Sequence, residues 1–253
     1  MDVWVNLADW QRALCGAVLG AIFGSFIGAL CSRLPAGRSI ASGRSCCAGC
    51  GAELRFWELI PVLSFYAQNG RCVRCKSPIG RSQLFAELAA MVIGAVSFLA
   101  LPVKEALWFA IMGWMLLPLL ILDFKYLWLP TKLTAILAIA GLVLGSLFIG
   151  NYDWRISVAA AAICWAALES IRVFYFKFRG IEGMGAGDPK LLAALALWTE
   201  AADLPMLLLT ASGIGLTYAV ILRAINKASD PKLPLGTFLA IAAMVINWPA
   251  GYF

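Results

Sequence analysis

Long apolar stretches broken by short polar, glycine- or proline-bearing intervals organise this chain. Six of them, at 13–30, 84–101, 106–122, 133–149, 156–176 and 204–222, contain enough consecutive apolar residues to cross ~30 Å of hydrocarbon as helices. Two weaker runs, 191–198 and 235–248, have the same character. Counting all of them predicts an all-α polytopic membrane protein with about eight transmembrane helices. A single polar insert, 31–83, separates the first helix from the second, which divides the chain into 1–30, 31–83 and 84–253.

Composition agrees with the pattern. The chain is 62% hydrophobic and 13% charged, outside the range of soluble domains. Charge gives an orientation, because cytoplasmic loops are rich in Lys and Arg. The insert holds Arg33, Arg38, Arg44, Arg55, Arg71, Arg74, Lys76 and Arg81 against Glu53 and Glu58, and is expected in the cytoplasm. Lys125 and Lys132, then Arg172, Lys177, Arg179 and Lys190, then Arg223, Lys227 and Lys232 fall on the same side. Only Arg12, Lys104 and Arg155 lie opposite, so 17 of 20 basic residues obey the rule and both termini are expected outside. The net charge of +6 then calls for anionic lipid rather than nucleic acid as its counterpart. Asp2 and Asp9 precede the first helix with Arg12 as the one cation, the reverse of a signal peptide's basic leader, so this helix is expected to be retained.

Gly16, Gly20, Gly24 and Gly28 recur every four residues along the first helix. That spacing predicts bare backbone on one face and close packing inside the bundle. Pro61, Pro78 and Gly70 mark the insert as small and rich in turns. Within it Cys47 and Cys50, then Cys72 and Cys75, form two CxxC pairs 21 residues apart. Such spacing suits a structural zinc site of four thiolates. Disulfides are the weaker alternative for a loop in the reducing cytosol, and Cys46 could stand in for Cys47. Cys15, Cys31 and Cys164 are expected as small buried hydrophobes.

The chain has no histidine, which removes Ser-His, Cys-His and HExxH chemistry. Two carboxylates stand out instead, 65 positions apart, at cytosol-facing ends of predicted helices. Asp123 ends the third apolar run. Asp188 follows Gly183-Met184-Gly185-Ala186-Gly187 and precedes Pro189, as an N-cap before a first-turn proline would. Glycines there, Gly185 and Gly187 among them, allow a bound chain to approach closely. A carboxyl near hydrocarbon costs about 2.5–3.5 kcal/mol unless partnered, so the pair invites a functional reading. Two carboxyls sharing a proton can hydrolyse a peptide: one activates water, the other polarises the carbonyl. From helix-end polarity Asp188 is expected to be the ionised member and Asp123 the protonated one. Alternatively, the acids pair with Lys125 or Lys132 and cap a helix.

With these residues in order, the chain resembles the type IV prepilin peptidases, membrane aspartyl proteases of the GxGD type. The resemblance rests on Gly24-Ser25-Phe26 with Arg33-Leu34-Pro35, the two CxxC pairs, Trp57, Ile60-Pro61, Ser64, Gly70-Arg71 and Glu87. It continues through Asp123 with Leu129-Pro130, the run Gly183 to Leu191, and Leu235-Gly236-Thr237-Phe238-Leu239-Ala240. It implies cleavage of short basic leaders from type IV prepilins and secretion pseudopilins at the cytoplasmic face of the bacterial inner membrane. It also implies N-methylation of the new terminus with S-adenosyl-L-methionine. Asp123 and Asp188 carry over as the catalytic pair, Gly185, Gly187 and Lys190 as the active-site loop, and Cys47, Cys50, Cys72 and Cys75 as zinc ligands. Glu87 and the 31–83 insert carry over with methyl transfer, and 84–253 with peptidase activity.

The chain departs from the family pattern at four places. Gly28 stands where asparagine is usual, Ala48 where proline is frequent, Thr131 where aspartate is frequent, and Pro189 where an aliphatic residue is common. Gly28 and Ala48 both touch the region associated with methylation. A peptidase without methylation, an ion-conducting transporter or assembly scaffold, and a redox role for the CxxC pairs are the competing readings.

Overall fold

The computed structural model describes residues 7–38, 45–47, 49–148, 152–180, 183–225 and 233–248. Asp2, Arg44, Ala48, Lys227, Lys232 and both termini lie outside the described residues. Nine α-helices occur among those described: α1 (Asp9–Arg33), α2 (Leu63–Ala67), α3 (Arg81–Ala100), α4 (Val103–Tyr126), α5 (Thr131–Phe148), α6 (Trp154–Arg179), α7 (Asp188–Leu195), α8 (Leu204–Ala224) and α9 (Leu235–Ile246). Extended pairing among the described residues is limited to two isolated bridges, Cys46 with Glu53 and Arg71 with Pro78.

Six helices are long and apolar enough to span a bilayer, and they match the six strong runs. The weaker runs form α7 and α9, of eight and twelve residues. At 1.5 Å per residue these rise about 12 and 18 Å, well short of ~30 Å. Burial explains how apolar helices this short persist.

The chain separates into two compact units, 1–118 and 119–253, divided at Pro118 within α4. In the first, α1 lies against α3 through the four glycines. A Cβ on Gly20 would stand 2.1 Å from the Ala90 carbonyl oxygen, and one on Gly16 would stand 2.2 Å from that of Gly94. Only bare backbone permits this approach. Trp114 locks the contact, donating from Nε1 to the Ala90 carbonyl at 2.9 Å and stacking on Phe23 at 4.6 Å.

The insert carries two matching turns. Cys47 N–H donates to Ala52 O, and Gly51 N–H donates back to Cys47 O, each at 2.9 Å. Twenty-five positions later Cys72 N–H donates to Ser77 O and Lys76 N–H to Cys72 O, again at 2.9 Å. The residue after each second cysteine has positive φ, Gly51 at 69° and Lys76 at 58°. Each CxxC is therefore a knuckle of the same design.

In the second unit α7 and α9 form the interior. Six of eight α7 residues are buried, as are seven of twelve in α9. No residue of α6 is buried, and its outward Ile156, Ile163 and Phe174 suit contact with lipid. Polar anchors fix the buried ends: Trp198 Nε1 donates to Leu137 O at 2.8 Å, and Asn247 Nδ2 to Thr199 Oγ1 at 2.8 Å.

Candidate active site and metal centre

Asp123 lies one turn before the end of α4, 5% exposed. The helix stops because Leu127 turns left-handed at φ 51° while its N–H reaches Asp123 O at 2.8 Å. A leucine there is strained by about 1–2 kcal/mol. The same turn sends Leu129 and Pro130 across the site. The carboxylate of Asp123 points at the first turn of α9, where Oδ2 accepts from Thr237 N–H at 2.7 Å and from Thr237 Oγ1 at 3.1 Å. An N-terminal N–H has no partner within its own helix, so Asp123 satisfies α9 from outside and sits at its positive end. This offsets the unfavourable end of α4 that the sequence emphasises.

Asp188 opens α7 and is 6% exposed. It is the first residue of the helix rather than its cap, which is Gly187, and no side-chain capping bond forms. Its Oδ2 instead turns back to accept from Gly185 N–H at 3.1 Å. Burial first, and then the charge of Asp123, push the Asp188 carboxyl up to about 7.

Three glycines fit this site tightly. A Cβ on Gly236 would lie 2.7 Å from Leu129 Cδ1 and 3.1 Å from Asp123 Cγ; one on Gly187 would lie 2.6 Å from Leu129 Cβ; one on Gly185 would lie 3.2 Å from Asp188 Oδ2. Leu129 therefore touches the backbone beside each acid. Lys190 is exposed and donates from Nζ to Thr131 Oγ1 at 3.2 Å, so the threonine at this departure from the family pattern is the lysine's partner. Pro189 is buried in the first turn of α7, where proline loses no hydrogen bond.

Thr237 is the residue that sequence reasoning passes over. It lies in the closing motif, but nothing in its chemistry announces that its backbone and hydroxyl both serve Asp123. Helix-end polarity does not include these contacts. Two donors face Asp123, and one backbone N–H faces Asp188.

The sulfurs of Cys47, Cys50, Cys72 and Cys75 all lie within 4.8 Å of one another. Cys47 and Cys75 are 3.7 Å apart, near the ~3.8 Å that tetrahedral zinc bound at about 2.3 Å imposes on its thiolates. Ser77 Oγ lies 3.0 Å from Cys75 Sγ and 3.5 Å from Cys47 Sγ. That hydroxyl, ahead of the backbone N–H groups, draws the Cys47 thiol down to about 6. The donor set fits a metal ion. Cys47 rather than Cys46 belongs to the cluster, and Cys46 is exposed outside it. Of the three cysteines expected as buried hydrophobes, only Cys31 is buried; Cys15 is exposed and Cys164 half-buried, both on apolar helices.

Glu87, on α3, is 5% exposed. Its Oε2 accepts from Val62 N–H at 2.8 Å and its Oε1 from Gln83 Nε2 at 3.0 Å. Gly28 faces this pair, since a Cβ there would lie 2.3 Å from Gln83 Oε1. The glycine makes room for the Gln83 amide.

Comparison with known proteins agrees with these features. Residues 18–101 match the Bacterial Peptidase A24 N-terminal domain, and residues 110–220 match the Type IV leader peptidase family. A prepilin leader peptidase/N-methyltransferase of Pseudomonas aeruginosa is 32% identical, over 92% of this chain and 88% of its own length. One of Burkholderia pseudomallei is 37% identical over 82% of this chain and 67% of its own. One of Stutzerimonas stutzeri is 30% identical over 92% and 89%. No solved structure matches the chain. Two family domains in sequence and relatives aligned over most of their length make this multi-pass helical protein a member of the type IV leader peptidase family of membrane enzymes.

Proposed function

We propose that the protein removes the leader peptides of type IV prepilins or pseudopilins at the cytoplasmic face of the bacterial inner membrane and methylates the new N-terminus. Asp123 and Asp188 act as the hydrolytic pair. The observation that carries this is the unequal hydrogen bonding of two buried carboxyls. Thr237 and the N-terminus of α9 hold negative charge on Asp123. The shared proton then rests on Asp188, whose carboxyl is raised to about 7.

Chemistry follows from that inequality. Protonated Asp188 donates to the scissile carbonyl oxygen, and Asp123 takes a proton from the attacking water. The C–O bond forms; the C–N bond then breaks as Asp123 passes its proton to the leaving amine, and the diol hydroxyl returns its proton to Asp188, which restores the single-proton state. Gly185, Gly187 and Gly236 let Leu129 and the two carboxyls pack against bare backbone, while Lys190 sits exposed beside Thr131. Membership of relatives named as N-methyltransferases supports the second activity. S-adenosyl-L-methionine, when bound, supplies an electrophilic methyl group for the freed α-amine.

Zinc held by Cys47, Cys50, Cys72 and Cys75 would staple an insert too small to bury much core. Sidedness rests on the basic loops: insert and active site face the cytoplasm, the termini lie outside, and the crossings come to eight when α7 and α9, too short to span as helices alone, are continued by their flanking residues. On this reading 31–83 serves methylation and 84–253 serves proteolysis. Co-expression with a prepilin, followed by mass analysis of the product's N-terminus, tests both activities together. Shortening by the leader plus one added methyl group is expected. An unprocessed terminus would refute the peptidase, and an unmethylated one the transferase.

A further inference from the structure

Between Arg55 and Ala67 the insert turns apolar side chains away from its own interior. The 3-10 turn Phe56–Leu59 and helix α2 contain no buried residue. Phe56, Trp57, Leu59, Ile60, Leu63 and Tyr66 are all exposed, Phe56 by 76% and Leu63 by 68%. Glu58, the one acid of this stretch, is turned back to accept the Arg55 N–H at 2.7 Å. An exposed apolar surface of this kind marks a contact with something other than water. Its depth is set by α3. That helix has 20 residues and rises about 30 Å, the thickness of the hydrocarbon it crosses, so it has no length to spare. Glu87 stands six residues inside its start, about 9 Å along the axis. Its Oε2 nevertheless accepts from Val62 N–H at 2.8 Å, and the side chain's tilt towards the helix start recovers only part of that depth. Val62 makes the contact from a tight reversal, with φ 62° and Leu63 N–H on Pro61 O at 2.6 Å. This strained γ-turn has exposed Ile60 and Leu63 on its two flanks. The insert dips back beside α3 rather than standing clear of its end.

We propose that residues 56–66 are an interfacial anchor, with Phe56, Trp57, Leu63 and Tyr66 entering the cytoplasmic leaflet and Arg55, Arg71 and Arg74 meeting its anionic phosphates. The leaflet follows from the sidedness of the basic loops; the anchor itself does not depend on either enzymatic activity. Depth supports it, because interfacial segments bury their apolar face about 5–10 Å into the boundary between headgroups and acyl chains. Residue type supports it as well. Tryptophan and tyrosine collect at that boundary, where an apolar ring and a polar tip are both accommodated. Charge completes the match: Arg55, Arg71 and Arg74 are exposed, the Arg55 guanidinium lies 5.3 Å from the centre of the Trp57 ring, and an anionic leaflet attracts such cations. A protein partner would have to reach this surface at the level of Glu87, where lipid is already present.

The test is photolabelling of the full chain in nanodiscs of phosphatidylglycerol that carries a diazirine on its acyl chain, with the labelled peptides mapped by mass spectrometry. Labels are expected within 56–66 at a yield within about threefold of that on the outward residues of α3 near Val92 and Leu99. Leu63→Asp should cut the yield in 56–66 about fivefold or more and leave α3 labelled as before. Phosphatidylcholine in place of phosphatidylglycerol should lower labelling of 56–66 relative to α3. Labelling of α3 with none in 56–66 would overturn the anchor, and the wild-type chain alone decides this if the variant fails to fold. Cross-links from 56–66 to a second copy or to a prepilin, in place of lipid labels, would overturn it equally by giving the surface another occupant. Equal labelling in the two lipids would overturn the role of the three arginines.

Discussion

Thr237→Val isolates the hydroxyl that, with a backbone N–H, holds Asp123 in place. Valine keeps the branched shape and the N–H at 2.7 Å but deletes the donor at 3.1 Å. The threonine Oγ1 also lies 3.3 Å from Leu120 O, and with one proton to give it favours the nearer, charged acceptor. A hydrogen bond to a charged group contributes about 1.5–3 kcal/mol. Because the shorter bond survives, the lower end applies, and about 1.4 kcal/mol per factor of ten gives roughly a tenfold fall in kcat/KM. The assay is cleavage of a prepilin by purified enzyme in nanodiscs, with thermal unfolding alongside. Thr237→Ser, which restores the hydroxyl, should recover most of the rate. Cleavage by the valine variant within about twofold of wild type, with the same unfolding temperature, would refute the assignment of negative charge to Asp123.

Gly236→Ala places a methyl group against Leu129 and Asp123 and should abolish cleavage, whereas Gly213→Ala, at a site with open space around it, should cleave normally; equal rates would contradict the close fit. The pH profile of kcat/KM should fall on its alkaline side near 7. Asp188 is raised to about 7, so its acid form is present below that pH and lost above it; a rate still rising through pH 9 would remove Asp188 as the proton donor. Elemental analysis should find one zinc per chain, lost on Cys47→Ser or Cys72→Ser but kept on Cys46→Ser. Full zinc in the Cys47 variant would overturn the ligand set, and reversible thiol oxidation without zinc would favour a redox role.

Much of this architecture is legible in the residues because each signal is local. Six helices follow from uninterrupted apolar runs, and α1–α3 contact follows from glycines every fourth residue. The knuckles follow from CxxC spacing, although their equivalence emerges only from the hydrogen bonds at Gly51 and Lys76. Features that depend on partners distant in sequence are not legible. Thr237 reaches Asp123 across 114 positions, and nothing in either segment declares the pairing. Helix-end reasoning places Asp123 at the negative end of α4 but cannot see the positive end of α9 that faces it. Asp188 reads as a cap because Pro189 follows, yet the helix begins one residue sooner and the carboxyl turns to Gly185. Hydropathy alone does not show that α7 is an eight-residue helix with six residues buried. Gly28 reads as a lost amide, whereas the structure shows that position beside the amide of Gln83.

On the proposed mechanism Asp123 and Asp188 act together in one hydrolytic step. Its most direct measurement is the intact mass of a prepilin incubated with the wild-type enzyme, with Asp123→Asn, and with Asp188→Asn, each verified as folded by its bound zinc. Either single substitution should leave the substrate at full length while the wild type shortens it by its leader. Processing at an undiminished rate by either variant would contradict the account.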